Sequence, residues 1–151
     1  MSERHVKERL LKYFEFSEPG STTGSLAFAL STAAETTLAT IELKHIRSND
    51  RVLIEAAIGW QTNAIVLTNA EIIFRIHRDG IGGPIVYSTV DSTGTTILNS
   101  RYTTGLVHTE TGVVSGEHTY TLTAQIVTAG AALSVIGPVS LNGSVIDENE
   151  T

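Results

Sequence analysis

From Leu26 onward the apolar residues recur at every second position, and this period constrains the fold more than any other feature of the chain. A period of two puts one side of an extended segment in a core and the other in water, whereas a helix needs a period near 3.6. Leu26, Phe28 and Leu30 alternate with Ala27, Ala29 and Ser31, and Ala39, Ile41 and Leu43 alternate with Thr40, Glu42 and Lys44. The longest run sets Val52, Ile54, Ala56, Ile58 and Trp60 against Leu53, Glu55, Ala57, Gly59 and Gln61. Ile72, Phe74 and Ile76 oppose Ile73, Arg75 and His77. Asp79–Pro84 then reads as a turn before Ile85–Tyr87 resumes. A less regular stretch covers Thr95–Val114. After it Tyr120, Leu122, Ala124 and Ile126 oppose Thr119, Thr121, Thr123 and Gln125, and two closing strands fall around Leu133–Ile136 and Val139–Ile146. The predicted core contains Val52, Ile54, Ile58, Phe74, Leu122 and Ile126, with Thr121 exposed.

About eight or nine strands, with turn signals every 8–12 residues or so and no helical period between them, indicate an all-β antiparallel sandwich, most economically a jelly roll. An immunoglobulin-type sandwich fits less well, because the chain is longer than its typical ~100 residues and has no Cys…Trp…Cys pattern. No internal repeat of fixed period is present, which disfavours a solenoid or propeller. With 151 residues the chain can bury roughly 68–70% of its unfolded surface without staples. Its zero cysteines exclude disulfides, thiolate metal sites and a cysteine nucleophile. A net charge of −6 argues against a nucleic-acid partner or an anionic membrane.

The start of the chain differs from the rest. Arg4, Lys7, Arg9 and Lys12 stand there with Glu3, Glu8, Glu15 and Glu18, and charge density drops afterwards. Val6, Leu10 and Tyr13 would line one face of a short helix capped by Ser2, although Tyr13–Phe16 reads equally well as extended. Pro19–Gly24 reads as a hinge. Three divisions follow: an N-terminal assembly arm and hinge over 1–24, a jelly-roll domain over 25–146 and an acidic tail over 147–151. Aromatic residues make up only 6% of the chain, yet Tyr13, Phe14 and Phe16 cluster within the arm. They must be buried on the protein's own sandwich or on a neighbouring subunit, and the hinge favours the neighbour. The candidate assembly residues are Val6, Leu10, Leu11, Tyr13, Phe14 and Phe16.

No catalytic constellation emerges. His5, His45, His77, His108 and His118 show no spacing that places two imidazoles on one metal, so neither metal nor cofactor is expected. A cupin-type enzyme, which would want such a cluster, is thereby disfavoured. His77-Arg78-Asp79 lacks the other parts of a kinase site and reads as a strand end running into a turn. Asp91-Ser92-Thr93-Gly94 has one residue too many for an aspartic-protease motif and no second acid. Gly112–Gly116 misses nucleophile-elbow spacing by one residue, and Asp79–Gly83 leads into Pro84 and a strand rather than the helix a phosphate loop needs. Asn142-Gly143-Ser144 reads as a hairpin turn rather than a glycosylation acceptor. Trp60 ends an apolar face and reads as core rather than a sugar platform.

Gly116-Glu117-His118-Thr119-Tyr120-Thr121-Leu122 and Ile136-Gly137-Pro138-Val139-Ser140-Leu141-Asn142-Gly143 resemble the last strands of compact bacterial spore-surface jelly rolls. These are the tumour-necrosis-factor-like heads of exosporium collagen-like glycoproteins and the subunits of endospore appendage fibres. The resemblance implies a non-enzymatic subunit that self-assembles into a spore-surface or other extracellular fibre. Its partners would be copies of itself and other spore-surface proteins. The chain departs from these families in lacking a collagen-like Gly-x-y tract and N-terminal cysteines. The alternative is a trimeric receptor- or carbohydrate-binding head, such as a phage tail-fibre tip, partnered by virion proteins. The mixed charges of Met1–Leu10 do not form a secretory signal, and no apolar run reaches the ~20 residues of a membrane helix. The expectation is therefore synthesis in the cytoplasm and final placement on a spore surface, in an extracellular fibre or, on the alternative, in a virion.

Overall fold

A computed structural model describes residues 10–63, 69–94 and 100–148, and these residues contain nine strands and no helix. The strands are β1 (Leu10–Gly20), β2 (Phe28–Ala29), β3 (Thr36–Ile46), β4 (Arg51–Thr62), β5 (Glu71–Arg78), β6 (Ile85–Ser92), β7 (Arg101–Thr111), β8 (Gly116–Ile126) and β9 (Leu133–Asp147). One sheet has the order β1-β9-β4-β7, with β2 on the same edge of β9 as β1, and the other has the order β3-β8-β5-β6. All pairs are antiparallel. Setting the two-residue β2 aside, the eight long strands follow one another as first, eighth, third, sixth in one layer and second, seventh, fourth, fifth in the other. That winding is a jelly roll.

The predicted core residues are all buried between the layers, with Trp60, Phe74 and Tyr120 the largest side chains wholly inside. The alternation in β4, β5 and β8 translates directly into inward and outward faces. Several expectations change. The irregular stretch contains an eleven-residue strand, β7. Its period is hidden because its inward positions, Tyr102, Thr104, Leu106, His108 and Glu110, are mostly polar. They are held by ties to the opposite sheet. Trp60 Nε1 donates to Thr104 Oγ1 (2.9 Å), which donates to Asp91 Oδ2 on β6 (2.6 Å). Tyr102 donates to the Thr93 carbonyl, and His108 lies against the Tyr87 ring at 5.4 Å. Glu110 accepts from Arg78 and from the Tyr120 hydroxyl.

The two closing strands are one. Gly137–Pro138 read as a break, but β4 pairs with β9 on both sides of it, through Trp60↔Val135 and Ile58↔Val139, with a register shift between. Gly59 absorbs the irregularity, since a Cβ there would lie 2.1 Å from the Gly137 carbonyl oxygen. Asn142–Gly143, expected as a hairpin turn, lies inside β9. A Cβ on Gly143 would meet Ile41 Cδ1 at 2.6 Å and Leu43 Cδ1 at 2.8 Å, so the glycine lets the opposite sheet approach. Thr121, expected at the surface, is buried, with its hydroxyl 3.4 Å from Thr40 Oγ1, and the neighbouring Thr123 and His77 are buried against Glu35.

The N-terminal division changes most. Met1–Arg9, including Val6, lies outside the described residues. Leu10–Gly20 is not separate from the sandwich, because its backbone pairs with β9 from Leu10↔Asp147 to Gly20↔Val139. Lys12 Nζ reaches the buried Asp50 Oδ2 at 2.6 Å, and Tyr13 packs edge-on against His45 at 5.9 Å. The hinge is a packed turn, in which Gly24 and Leu26 N–H groups both donate to the Ile136 carbonyl. At the other end Asp147 still belongs to β9, and Glu148 pairs with Arg51 at 3.0 Å, so the expected tail starts at least two residues later.

Two glycine substitutions test the packing. Gly143→Ala presses only on side-chain ends and is expected to cost ~1–3 kcal/mol, the usual range for overpacking. Gly59→Ala drives a methyl into a backbone carbonyl and should cost more. Urea denaturation of both variants gives the order, and the reverse order contradicts the packing described.

Candidate functional site

The parity of β1 decides what the molecule displays. Leu11 pairs with Ile146 and Tyr13 with Val145, so Lys12 is an extra residue, a bulge that resets the alternation. Beyond it Tyr13, Glu15 and Ser17 share the inward register of Val145, Gly143 and Leu141. Phe14 and Phe16 share the outward register of Ser144 and Asn142. Of the predicted assembly residues, the structure therefore sends Tyr13 to the inner side. It brings Leu11, Phe14 and Phe16 together on the outer face of the larger sheet, and leaves Leu10 exposed at the start of the strand. Leu11 is 63% exposed, Phe14 49% and Phe16 58%. The two phenyl rings stack at 6.1 Å with 30° between their planes.

Across the same face β9 contributes Asn142 and Ser144, β4 contributes Leu53, Glu55 and Ala57, and β7 contributes Gly105, Val107 and Thr109. Val107 is 60% exposed. Ala57, Gly105 and Ser140 carry little or no side chain and form the floor of an open depression of about 450 Å³, rimmed by Glu55, Val107 and Asn142. Sequence reasoning missed Val107, because it sits in the stretch whose period was hidden. Glu55 was visible on the polar side of β4, but only the strand order places it beside Asn142 and Val107.

The smaller sheet presents a different outer face. There the segment leading into β3 fastens itself over β8 and β5. Ser31 O accepts from Ile126 N, and Thr32 O accepts from Gln125 Nε2. Glu35 Oε1 accepts from Arg75 (2.8 Å), His77 Nε2 (2.9 Å) and Thr123 Oγ1 (3.1 Å). These are residue types found in a nucleophilic relay. Both the imidazole and the hydroxyl converge on one carboxylate oxygen, however, so His77 does not stand between acid and nucleophile. Burial alone would raise the Glu35 carboxyl. The hydrogen bonds from His77, Arg75 and Thr123 outweigh that and hold it below its ordinary range. Near the other end of β5, His118 Nδ1 lies 2.9 Å from Asp79, and burial together with the Glu110 hydrogen bond pushes the Tyr120 phenol far above its usual value. Among the described residues no three of His, Asp and Glu gather as a metal-ligand group.

No protein-family model matches the chain, and no curated protein does. The fold is similar to part of PorU from Porphyromonas gingivalis, known from a crystal structure of its dimeric latent form, with a TM-score of 0.50 at 12% sequence identity. The match covers 91% of this chain and 13% of that one, so the chain spans a small fraction of PorU's length. At this identity the likeness concerns the sandwich fold alone.

Because the Glu35 carboxyl is held low in the folded state, its contribution to stability is present above the ordinary carboxylate range and is lost as pH falls through its folded value. The stability gap between the wild type and Glu35→Gln should therefore narrow as pH drops from about 6 to about 3. Denaturation midpoints across that range check it, and parallel profiles would remove the fastening role of Glu35.

Proposed function

We propose that this protein is a non-enzymatic structural subunit that self-assembles into a spore-surface or other extracellular fibre, with β1 as the assembly element. The observation that carries the reading is the division of labour within β1. Its backbone, Lys12 and Tyr13 are engaged with the protein's own sandwich, while Leu11, Phe14 and Phe16 are held outward. An aromatic side chain left in water forgoes on the order of 2–3 kcal/mol that burial would supply, and a cluster of them on one face is a surface suited to a partner. The spore-surface or extracellular setting rests on the resemblance of Gly116–Leu122 and Ile136–Gly143, not on geometry.

A second reading, a carbohydrate- or receptor-binding head, draws on the exposed, stacked Phe14 and Phe16, with Asn142 in the adjoining strand. It does not draw on Trp60, which is wholly buried.

Sedimentation velocity over a wide concentration range separates the two. The structural-subunit reading expects the wild type to form oligomers or polymers and Phe14→Ser/Phe16→Ser to dissociate with its melting temperature unchanged. A wild type that is monomeric throughout contradicts it. Reproducible hits on a glycan array, lost in the same double variant, would favour the binding head. Deleting Met1–Glu18, which an independent arm would tolerate, strips β9 of a partner and separates Asp50 from Lys12. The truncated chain is expected to lose stability as well as assembly, and circular dichroism during a thermal melt checks this.

A further inference from the structure

We propose that the outer face of the larger sheet is a two-fold interface with a second copy of this chain, which deepens the self-assembly reading and rests on it. The cross-strand pairing sets Phe16, Asn142, Glu55 and Val107 in one row running from β1 through β9 and β4 to β7. The row is apolar, polar, polar, apolar, and so reads alike from either end.

A two-fold axis parallel to the strands, midway between β9 and β4, lays this row on its own reverse. Phe16 of each copy then stands over Val107 of the other, and the Asn142 amide, a donor, faces the other copy's Glu55 carboxylate, an acceptor. Both contacts occur twice, as a closed two-fold requires. Side chains on a strand lean along its direction. Phe16 of the second copy thus reaches the hollow of about 450 Å³ beside Val107, where Gly105 and Ala57 leave the space free.

The area is sufficient. Four strands spaced ~4.8 Å apart and about eleven residues long cover roughly 700 Å², so two copies would bury about 1,400 Å² in total. That falls within the ~1,200–2,000 Å² of stable, specific interfaces. On the smaller sheet, Ser31–Glu35 lies over part of the outer face, with Thr32 on Gln125 and Glu35 on Thr123, Arg75 and His77.

Analytical ultracentrifugation of the full chain, combined with thiol crosslinking, tests the inference. Val107→Lys, far from β1 and exposed in the monomer, is expected to weaken association at least about thirtyfold, because a two-fold pair loses its Phe16–Val107 contact twice, with an unchanged circular dichroism spectrum. The native chain has no cysteine, so single cysteines report unambiguously. A mixture of Phe16→Cys and Val107→Cys chains treated with a bismaleimide spanning ~10 Å, the separation of packed sheets, should give a mixed covalent dimer that neither variant gives alone. If Val107→Lys associates like the wild type, or if Phe16→Cys alone crosslinks efficiently, the two-fold face is wrong while self-assembly stands. If the wild type never associates, the self-assembly reading falls and this inference with it.

Discussion

The larger sheet takes its register from β9. This fifteen-residue strand carries β1 and β2 on one edge and β4 on the other, and β4 in turn positions β7. Because side chains alternate with a period of two, a slip of one residue along β9 would turn a neighbour inside out. Two local features hold the register against such a slip. The bulge at Lys12 sends Tyr13 inward and Phe14 and Phe16 outward, and the salt bridge to buried Asp50 secures that bulge. The irregularity at Gly137 fits only because Gly59 has no side chain. What the molecule shows to its surroundings therefore depends on backbone details far smaller than the surface itself.

The two sides of the sandwich close in chemically different ways. Along β7 the sheets are joined by polar chains: Trp60 through Thr104 to Asp91, Tyr102 to Thr93, and Arg78 with Tyr120 on Glu110. Buried polar groups are tolerated when each finds a partner, and such networks favour one arrangement over its alternatives. Beside β1 the closure includes the ion pair from Lys12 to Asp50, in the turn after β3, and the ring contact from Tyr13 to His45 on β3. The apolar core stabilises the layered form, and these side closures define how the layers sit on one another.

Much of this was legible in the residues. Val52–Trp60, Ile72–Ile76 and Tyr120–Ile126 alternate because one side of each faces the apolar core and the other does not, and from them the sandwich follows. β7 was hidden because hydropathy patterns register apolar burial and not polar burial satisfied by a partner on another strand. β9 was split because Gly-Pro is read locally as a break, while the neighbouring strand that bridges it is a distant part of the sequence. The aromatic cluster of β1 was visible. Its division into one inward and two outward rings was not, since a single unpaired residue reverses the parity and no residue type announces a bulge at lysine.

The segment Ser31–Glu35, bound across β8 and β5, has a consequence for valence. On the proposed two-fold contact the sandwich associates through the outer face of its larger sheet, while Ser31–Glu35 covers part of the other face. A body with one self-complementary side reaches its full complement of neighbours at two copies, because the pair covers the surface that made it. Growth of a filament then requires a second, unlike contact, and the natural places for it are the sheet edges and strand ends that a face-to-face pair leaves open. Such a fibre would be a chain of pairs, and its repeat would contain two subunits rather than one.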